Sequence, residues 1–295
     1  MRDVATLIAA SGRLATAAVA QARAALPEAD EVRWLAEATA ADIAFAATAG
    51  EDRRALANRL RGLLPGVDVV VQPKAHRRKK LFLADMDSTM IGQECIDELA
   101  DYAGLKAHVA AITERAMRGE IAFEPALRER VALLKGLPVK TVDEVIGKRI
   151  HLTPGGRTLI ATMRANSAHT AMVSGGFTLF TDRIGAMIGF DESRANALLL
   201  DGEMLAGTVA EPIFGRDGKR AALIELRNRL GLAKSETMAA GDGANDIDMI
   251  AEAGLGVAFH AKPKVAAAAA ARIDHADLSA LLYVQGYRQE EFVQR

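Results

Sequence analysis

The sequence predicts an α/β fold built on a doubly wound parallel sheet, and three observations carry that reading. Short apolar runs at Leu81–Ala84, at residues 170 to 173 and at residues 237 to 240 each end in glycine, serine or aspartate. Helical stretches separate these runs, the alternation expected of a parallel sheet covered by helices. The first run is apolar throughout rather than alternating, which marks a strand buried on both faces. Sheets of this kind bind ligands at the carboxyl ends of their strands, so the residues that follow each run form the candidate site.

Ahead of this sheet, residues 1 to 75 form an alanine-rich unit of their own. Strands or extended segments are predicted at residues 4 to 9, 32 to 36, 43 to 47 and 67 to 72, with helices near 14 to 25 and 53 to 64. That βαββαβ order packs two helices on one antiparallel sheet. The basic run of His76, Arg77, Arg78, Lys79 and Lys80 reads as a solvated linker rather than a nucleic-acid surface. Residues 91 to 151 are helical in pattern and charge-rich, and their place between the first run and the next strand makes them an insertion that covers the site. Asp201-Gly202 between extended segments signals a hairpin, and the alanine run from 266 to 271 reads as helix. The expected division is therefore a unit at 1–75, a core at 76–90 with 152–295, and a helical cap at 91–151.

Composition narrows the function. A chain of 295 residues can bury a full-size core, and a net charge of -1 gives no reason to expect nucleic acid or an anionic membrane as partner. Cys95 is the single cysteine, so an intrachain disulfide is impossible and a reducing compartment is the natural home. No apolar run approaches the roughly 18 residues needed to span a bilayer. A cytoplasmic location is expected, ahead of an amphipathic presequence in residues 1 to 26 carrying Arg2, Arg13 and Arg23.

Four pieces carry chemistry. Asp85 and Asp87 follow the first strand and would repel each other unless a cation lay between them; a turn or helix-cap role is the plainer reading of Asp85 alone. Ser174, Gly175 and Gly176 follow the second, where glycine lets backbone N–H groups approach an anion and a hydroxyl adds a donor. Lys219 precedes the helical stretch 221 to 230 and could neutralise a phosphate, although an exposed cation at a helix start is the commoner case, with Arg216 and Arg220 as neighbouring candidates. Asp242 and Asp246 lie in a loop whose Gly241 and Gly243 allow a tight turn, and hard carboxylate oxygens with room for water suit Mg²⁺. Zinc lacks its thiolates or paired histidines.

In order and spacing, DMDST at 85 to 89, SGG at 174 to 176, Lys219 and GDGAND at 241 to 246 resemble the four motifs of the haloacid dehalogenase superfamily of phosphohydrolases. Glu94, the run FEPALRERVALLKGLP at 123 to 138 and VSGGF narrow the resemblance to the phosphoserine phosphatases of that superfamily, over about residues 80 to 290. The resemblance implies hydrolysis of O-phospho-L-serine to serine and phosphate, the last step of serine synthesis, with Asp85 as nucleophile and Asp87 as acid and base. Mg²⁺ would be held by the carboxylates of Asp85 and Asp242 and the backbone carbonyl of Asp87, with Asp246 orienting Lys219 or a metal-bound water. Phosphate would meet Ser174, Gly175 and Lys219. Glu94 would take the ammonium and Arg130 the carboxylate, with Arg128 as rival; Asn245 would contact substrate or fix its loop, and Met117 and Phe123 would wall the pocket or serve as cap core. Met86 stands where many members carry phenylalanine. The first unit resembles an ACT domain in element order, which implies an effector-binding or homodimerising module, or a degenerate one that only packs. Rival readings are a phosphatase for another small phosphomonoester and an amino-acid-sensing protein with secondary phosphatase activity.

Overall fold

A computed structural model describes residues 2–9, 13–47, 50–117 and 120–294, with the side chains of residues 116 and 117 outside that description. The first unit runs β1 (Arg2–Ile8), α1 (Thr16–Ala24), β2 (Arg33–Ala36), β3 (Ala40–Ala46), α2 (Arg53–Leu63) and β4 (Asp68–Pro73). Its antiparallel sheet has the order β2-β3-β1-β4. Strand alternation divides its side chains between two cores. Leu7, Ile43, Phe45, Val69 and Val71 face α1 and α2, whereas Ile8, Ala40 and Val70 pack toward the rest of the chain.

The second sheet is six-stranded, with β5 (Leu81–Ala84), β6 (His169–Phe177), β7 (Glu192–Asn196), β10 (Thr237–Gly241), β11 (Leu255–Phe259) and β12 (Ala271–Ile273) in the order β12-β11-β10-β5-β6-β7. All its pairings are parallel. Phe82 and Ala84 point into one core and Leu81 and Leu83 into the other, so β5 is apolar throughout because both its faces are covered. The covering helices are α7 (Gly156–Ala165), α8 (Thr178–Ile188), α9 (Arg216–Arg229), α10 (Ile247–Glu252), α11 (Pro263–Ala268) and α12 (Ala280–Val284). No described helix is long and apolar enough to cross a membrane.

Between β5 and α7 stand α3 (Cys95–Tyr102), α4 (Lys106–Met117), α5 (Phe123–Ala132) and α6 (Lys140–Lys148). The two chain crossings at their base are sewn together by Gly92 N–H to His151 O at 3.1 Å and Thr153 N–H to Met90 O at 3.0 Å. The Asp201-Gly202 turn joins β8 (Leu198–Asp201) to β9 (Met204–Val209). This hairpin lies in the sequence span given to the core, yet its hydrogen bonds go to the helical insertion: Gly136 N–H to Leu205 O at 2.8 Å and Val139 N–H to Glu203 O at 2.9 Å. The alanine run differs from its expected helix, because α11 stops at Ala268 and Ala271 opens β12, paired with Val257. Sheet pairing overrides alanine's helical preference there.

The linker differs from expectation in part. His76, Arg78 and Lys80 are exposed, but Lys79 is buried and Arg77 largely so. The Arg77 guanidinium holds both Asp42 oxygens, at 2.6 and 3.0 Å, and donates to Val284 O at 3.0 Å at the end of α12. Lys79 Nζ donates to His76 O at 2.9 Å and Ser235 O at 2.7 Å, and burial followed by the nearby Arg77 charge pushes it down to about 8. Asp68, fully buried at the start of β4, accepts from the N–H groups of Asp274, His275 and Ala276 at 2.7, 3.2 and 2.9 Å. Asp68→Ala would strand those donors, and we expect a loss of about 3 kcal/mol of stability, read by denaturant unfolding. An unchanged midpoint would mean the seam is not held there.

Candidate active site

The chain leaves β5 at Asp85 and turns at once. Asp87 stays extended and Ser88 takes the left-handed region at φ 54°, closing a turn in which Ile91 N–H reaches Met86 O at 3.0 Å. Met86 is fully buried beneath it. This turn points the Asp85 and Asp87 side chains into one cavity of about 570 Å³. Asp85, Asp87, Glu94, Arg130, Ser174, Gly175, Asp242 and Asn245 all line it.

Lys219 and Asp246 stand behind that wall, both fully buried. Lys219 Nζ lies 2.7 Å from Asp85 Oδ1 and 2.7 Å from Asp246 Oδ1. It is not an exposed cation at a helix start: α9 begins at Arg216, and Lys219 lies in phase with the buried Ala222, Leu223 and Leu226. Arg220 falls on the outer side, 3.7 Å from Glu252, whereas Arg216 lines the cavity and pairs with Asp248. Burial opposes the Lys219 charge, but Asp246 and Asp85 outweigh it and hold the ammonium above its ordinary value. Asp85 is pushed up by burial and by Asp246, with Lys219 pulling the other way.

Asp246 reaches this position because of its loop. Its second oxygen accepts Gly243 N–H at 3.0 Å, and a Cβ on Gly241 would stand 2.4 Å from the Asp246 carboxyl carbon. Only glycine fits at 241. Asp85, Asp242 and Asp246 each offer a carboxylate oxygen within 4.8 Å of the others. Two of these buried carboxylates share the Lys219 ammonium, and Asp242 is pushed up to about 6 by burial and then by Asp246. This charge deficit and this set of hard oxygen donors fit a divalent cation.

Asp87 faces the other way. It accepts from Cys95 N–H at 3.0 Å and from Ser174 Oγ at 3.3 Å. Burial, then the Glu94 carboxylate, push it up to about 7, so about half of the molecules carry a proton there in neutral solution. The close approach of β6 needs glycine again, since a Cβ on Gly176 would stand 3.1 Å from Asp87 Oδ2. Ser88 Oγ donates to Glu94 Oε1 at 2.7 Å, tying the turn to the first residue of the insertion that faces the cavity.

Of the two candidate arginines, Arg130 lines the cavity, with Nε donating to Ala126 O at 3.1 Å and Nη1 to Thr113 Oγ1 at 3.3 Å. Arg128 turns outward to Glu124, at 3.9 Å, and to Glu211. Phe123 walls the cavity with its ring against Gly175 and Gly215, while the Met117 side chain lies outside the described residues. Three groups escaped the sequence reading. Asn196 clamps Gly175 O at 2.9 Å and Phe214 O at 3.0 Å, Thr113 meets Arg130, and the Cys95 N–H meets Asp87. Nothing in their local sequence marks them, because each acts on a partner distant in the chain.

Residues 82–251 match the family model of haloacid dehalogenase-like hydrolases. The chain belongs to this family. A curated phosphoserine phosphatase from a Polaromonas species is 48% identical over 208 residues, 69% of this chain and 88% of the relative. Among solved structures, a haloacid dehalogenase family hydrolase from Salmonella enterica serovar Typhi superposes with a TM-score of 0.86 at 28% identity, covering 96% of this chain and 98% of that one. A phospho-aspartyl intermediate analogue of phosphoserine phosphatase superposes at 0.65 with 39% identity, over 70% of this chain and 98% of its own.

A cation must displace the proton that Asp242 holds below about pH 6. Divalent-cation affinity should therefore fall by at least about tenfold per pH unit below that value, with Asp85, also raised by burial and Asp246, adding to the proton competition. Calorimetric titration between about pH 5 and about pH 7.5 reads the slope, and a flat response would remove Asp242 from the donor set.

Proposed function

We propose that this family member is a Mg²⁺-dependent phosphoserine phosphatase that converts O-phospho-L-serine and water to L-serine and phosphate in serine biosynthesis. One observation carries the reading: a single cavity joins a phosphate end, made by Asp85, Asp87, Ser174 and Asp242, to an amino-acid end, made by Glu94 and Arg130. Relatives named phosphoserine phosphatase support it.

In the first step an Asp85 carboxylate oxygen attacks phosphorus, and the bond from phosphorus to the serine oxygen breaks. Asp87, in its protonated form, gives its proton to that leaving oxygen. In the second step the Asp87 carboxylate takes a proton from water, the water oxygen attacks phosphorus, and phosphate leaves Asp85. Mg²⁺, held by Asp85, Asp242 and the Asp87 carbonyl, would supply positive charge against the phosphoryl oxygens. Lys219 keeps Asp85 aimed, and Asp246 keeps Lys219 aimed. Ser174 and the Gly175 N–H donate to the phosphate, with Asn245 at its edge. Glu94 pairs with the substrate ammonium and Arg130 with its carboxylate. Residues 91–151 serve as a cap that selects substrate, 76–90 with 152–295 as the catalytic core, and 1–75 as a regulatory or dimerising unit of a cytoplasmic enzyme.

Asp85→Asn should lower turnover by at least about 1,000-fold with an unchanged circular dichroism spectrum, and substantial residual activity would refute the covalent route. Glu94→Gln and Arg130→Ala should each raise KM for O-phospho-L-serine by about ten- to a hundredfold while sparing phosphomonoesters that lack the amino-acid end. Equal effects on both kinds of substrate would move the specificity elsewhere.

A further inference from the structure

Among the described residues, Asp97 Oδ1 is a carboxylate oxygen shut away from solvent with no hydrogen-bond partner. A buried, unpartnered carboxylate oxygen is costly, so its surroundings call for an explanation. Asp97 lies in the first turn of α3, and its N–H donates at 3.1 Å to the carbonyl of Glu94, the residue at the helix's N-cap. Its neighbour Ile96 lines the cavity. The cation acting most strongly on Asp97 is Arg130, and the second, Lys106, lies 3.7 Å from Glu98. Arg130 in turn feels Asp97 more strongly than Glu94.

Arg130 thus feels two carboxylates and forms an ion pair with neither among the described residues; its hydrogen bonds go to Ala126 O and Thr113 Oγ1. Glu94 is held by Ser88 Oγ. A lone glutamate beside a guanidinium would close on it as a two-point pair, and a ligand with both an ammonium and a carboxylate would first have to break that pair. We propose that Asp97 is a positioning residue that holds Arg130 off Glu94, leaving the arginine fork open for a carboxylate and Glu94 open for an ammonium. This inference rests on the amino-acid-phosphate reading of the cavity.

Asp97→Asn removes the charge at constant shape; Asp97→Ser makes the same comparison where Asn gives no folded protein. The variant should raise KM for O-phospho-L-serine about tenfold, the factor set by about 1.4 kcal/mol, with kcat held. KM for ethyl phosphate, which has neither ammonium nor carboxylate, should stay at the wild-type value. An equal rise on both substrates, or none on either, overturns the proposal. The Arg130 Nε–H resonance, assigned by its loss in Arg130→Lys, provides an arm free of substrate: it should shift in Asp97→Asn, and an unmoved resonance overturns the positioning role even if phosphoserine is the substrate. A wild-type enzyme with no preference for O-phospho-L-serine would withdraw the substrate reading, and the resonance would still decide for or against Asp97.

Discussion

The site depends on one buried ammonium shared between two carboxylates. Lys219 is fully enclosed, and without it Asp85 and Asp246 would face each other across a dry gap. Breaking such a pair leaves an uncompensated buried charge, at a cost of about 3–5 kcal/mol. Three separate features converge to make the contact: the end of β5 delivers Asp85, the phase of α9 delivers Lys219, and the glycine-spaced turn after β10 delivers Asp246. Adjacent parallel strands β5 and β10 bring two of these within reach, since residues 81 to 84 run in register with residues 237 to 240.

A second division of labour follows from which way the two paired aspartates point. Asp85 turns toward Lys219 and the acidic loop, whereas Asp87 turns toward the Cys95 N–H and Ser174. The left-handed Ser88 makes that divergence possible two residues along the chain. Its hydroxyl then fixes Glu94, so one turn sets the nucleophile, the acid and the ammonium partner of the proposed reaction. Environment acts on the two acids through different neighbours. Burial and then Glu94 raise Asp87, whereas burial and Asp246 raise Asp85 against the opposing pull of Lys219.

Much of this was legible in the sequence because local pattern and tertiary role agree. An unbroken apolar run gave β5, Asp201-Gly202 gave the hairpin, and glycines at 241 and 243 gave the acidic turn. Viewed alone, Lys219 suggested an exposed helix-start cation, and its catalytic place came from the family resemblance, although its phase with Ala222, Leu223 and Leu226 already placed it on the buried stripe. Arg77 and Lys79 were illegible for a different reason. Their partners, Asp42, Val284 and Ser235, lie far off in sequence, so a basic run that looks solvated becomes a staple between two sheets. The alanine run failed because propensity cannot see the partner strand that claims Ala271. Asn196 and Asp97 carry no motif, and only the packed structure shows what each faces.

The two ends of the cavity obey different constraints. At the core end, carboxylates, an ammonium and glycine-exposed backbone handle any phosphoryl group, because nothing there reads what lies beyond the ester oxygen. Discrimination must then come from the helical insertion, which contributes Glu94 at its base and Arg130 from α5. These two opposite charges must stay apart in the empty cavity yet both be available once a zwitterion arrives, and a third charge outside the contact is the simplest way to achieve that separation. Asp97 occupies such a place. The helix that supplies it also supplies the Cys95 N–H to Asp87, so the first turn of α3 touches both the proposed proton donor and the proposed specificity pocket. A displacement of that turn would shift substrate orientation and proton delivery together, which couples recognition of the amino-acid end to the chemistry at phosphorus.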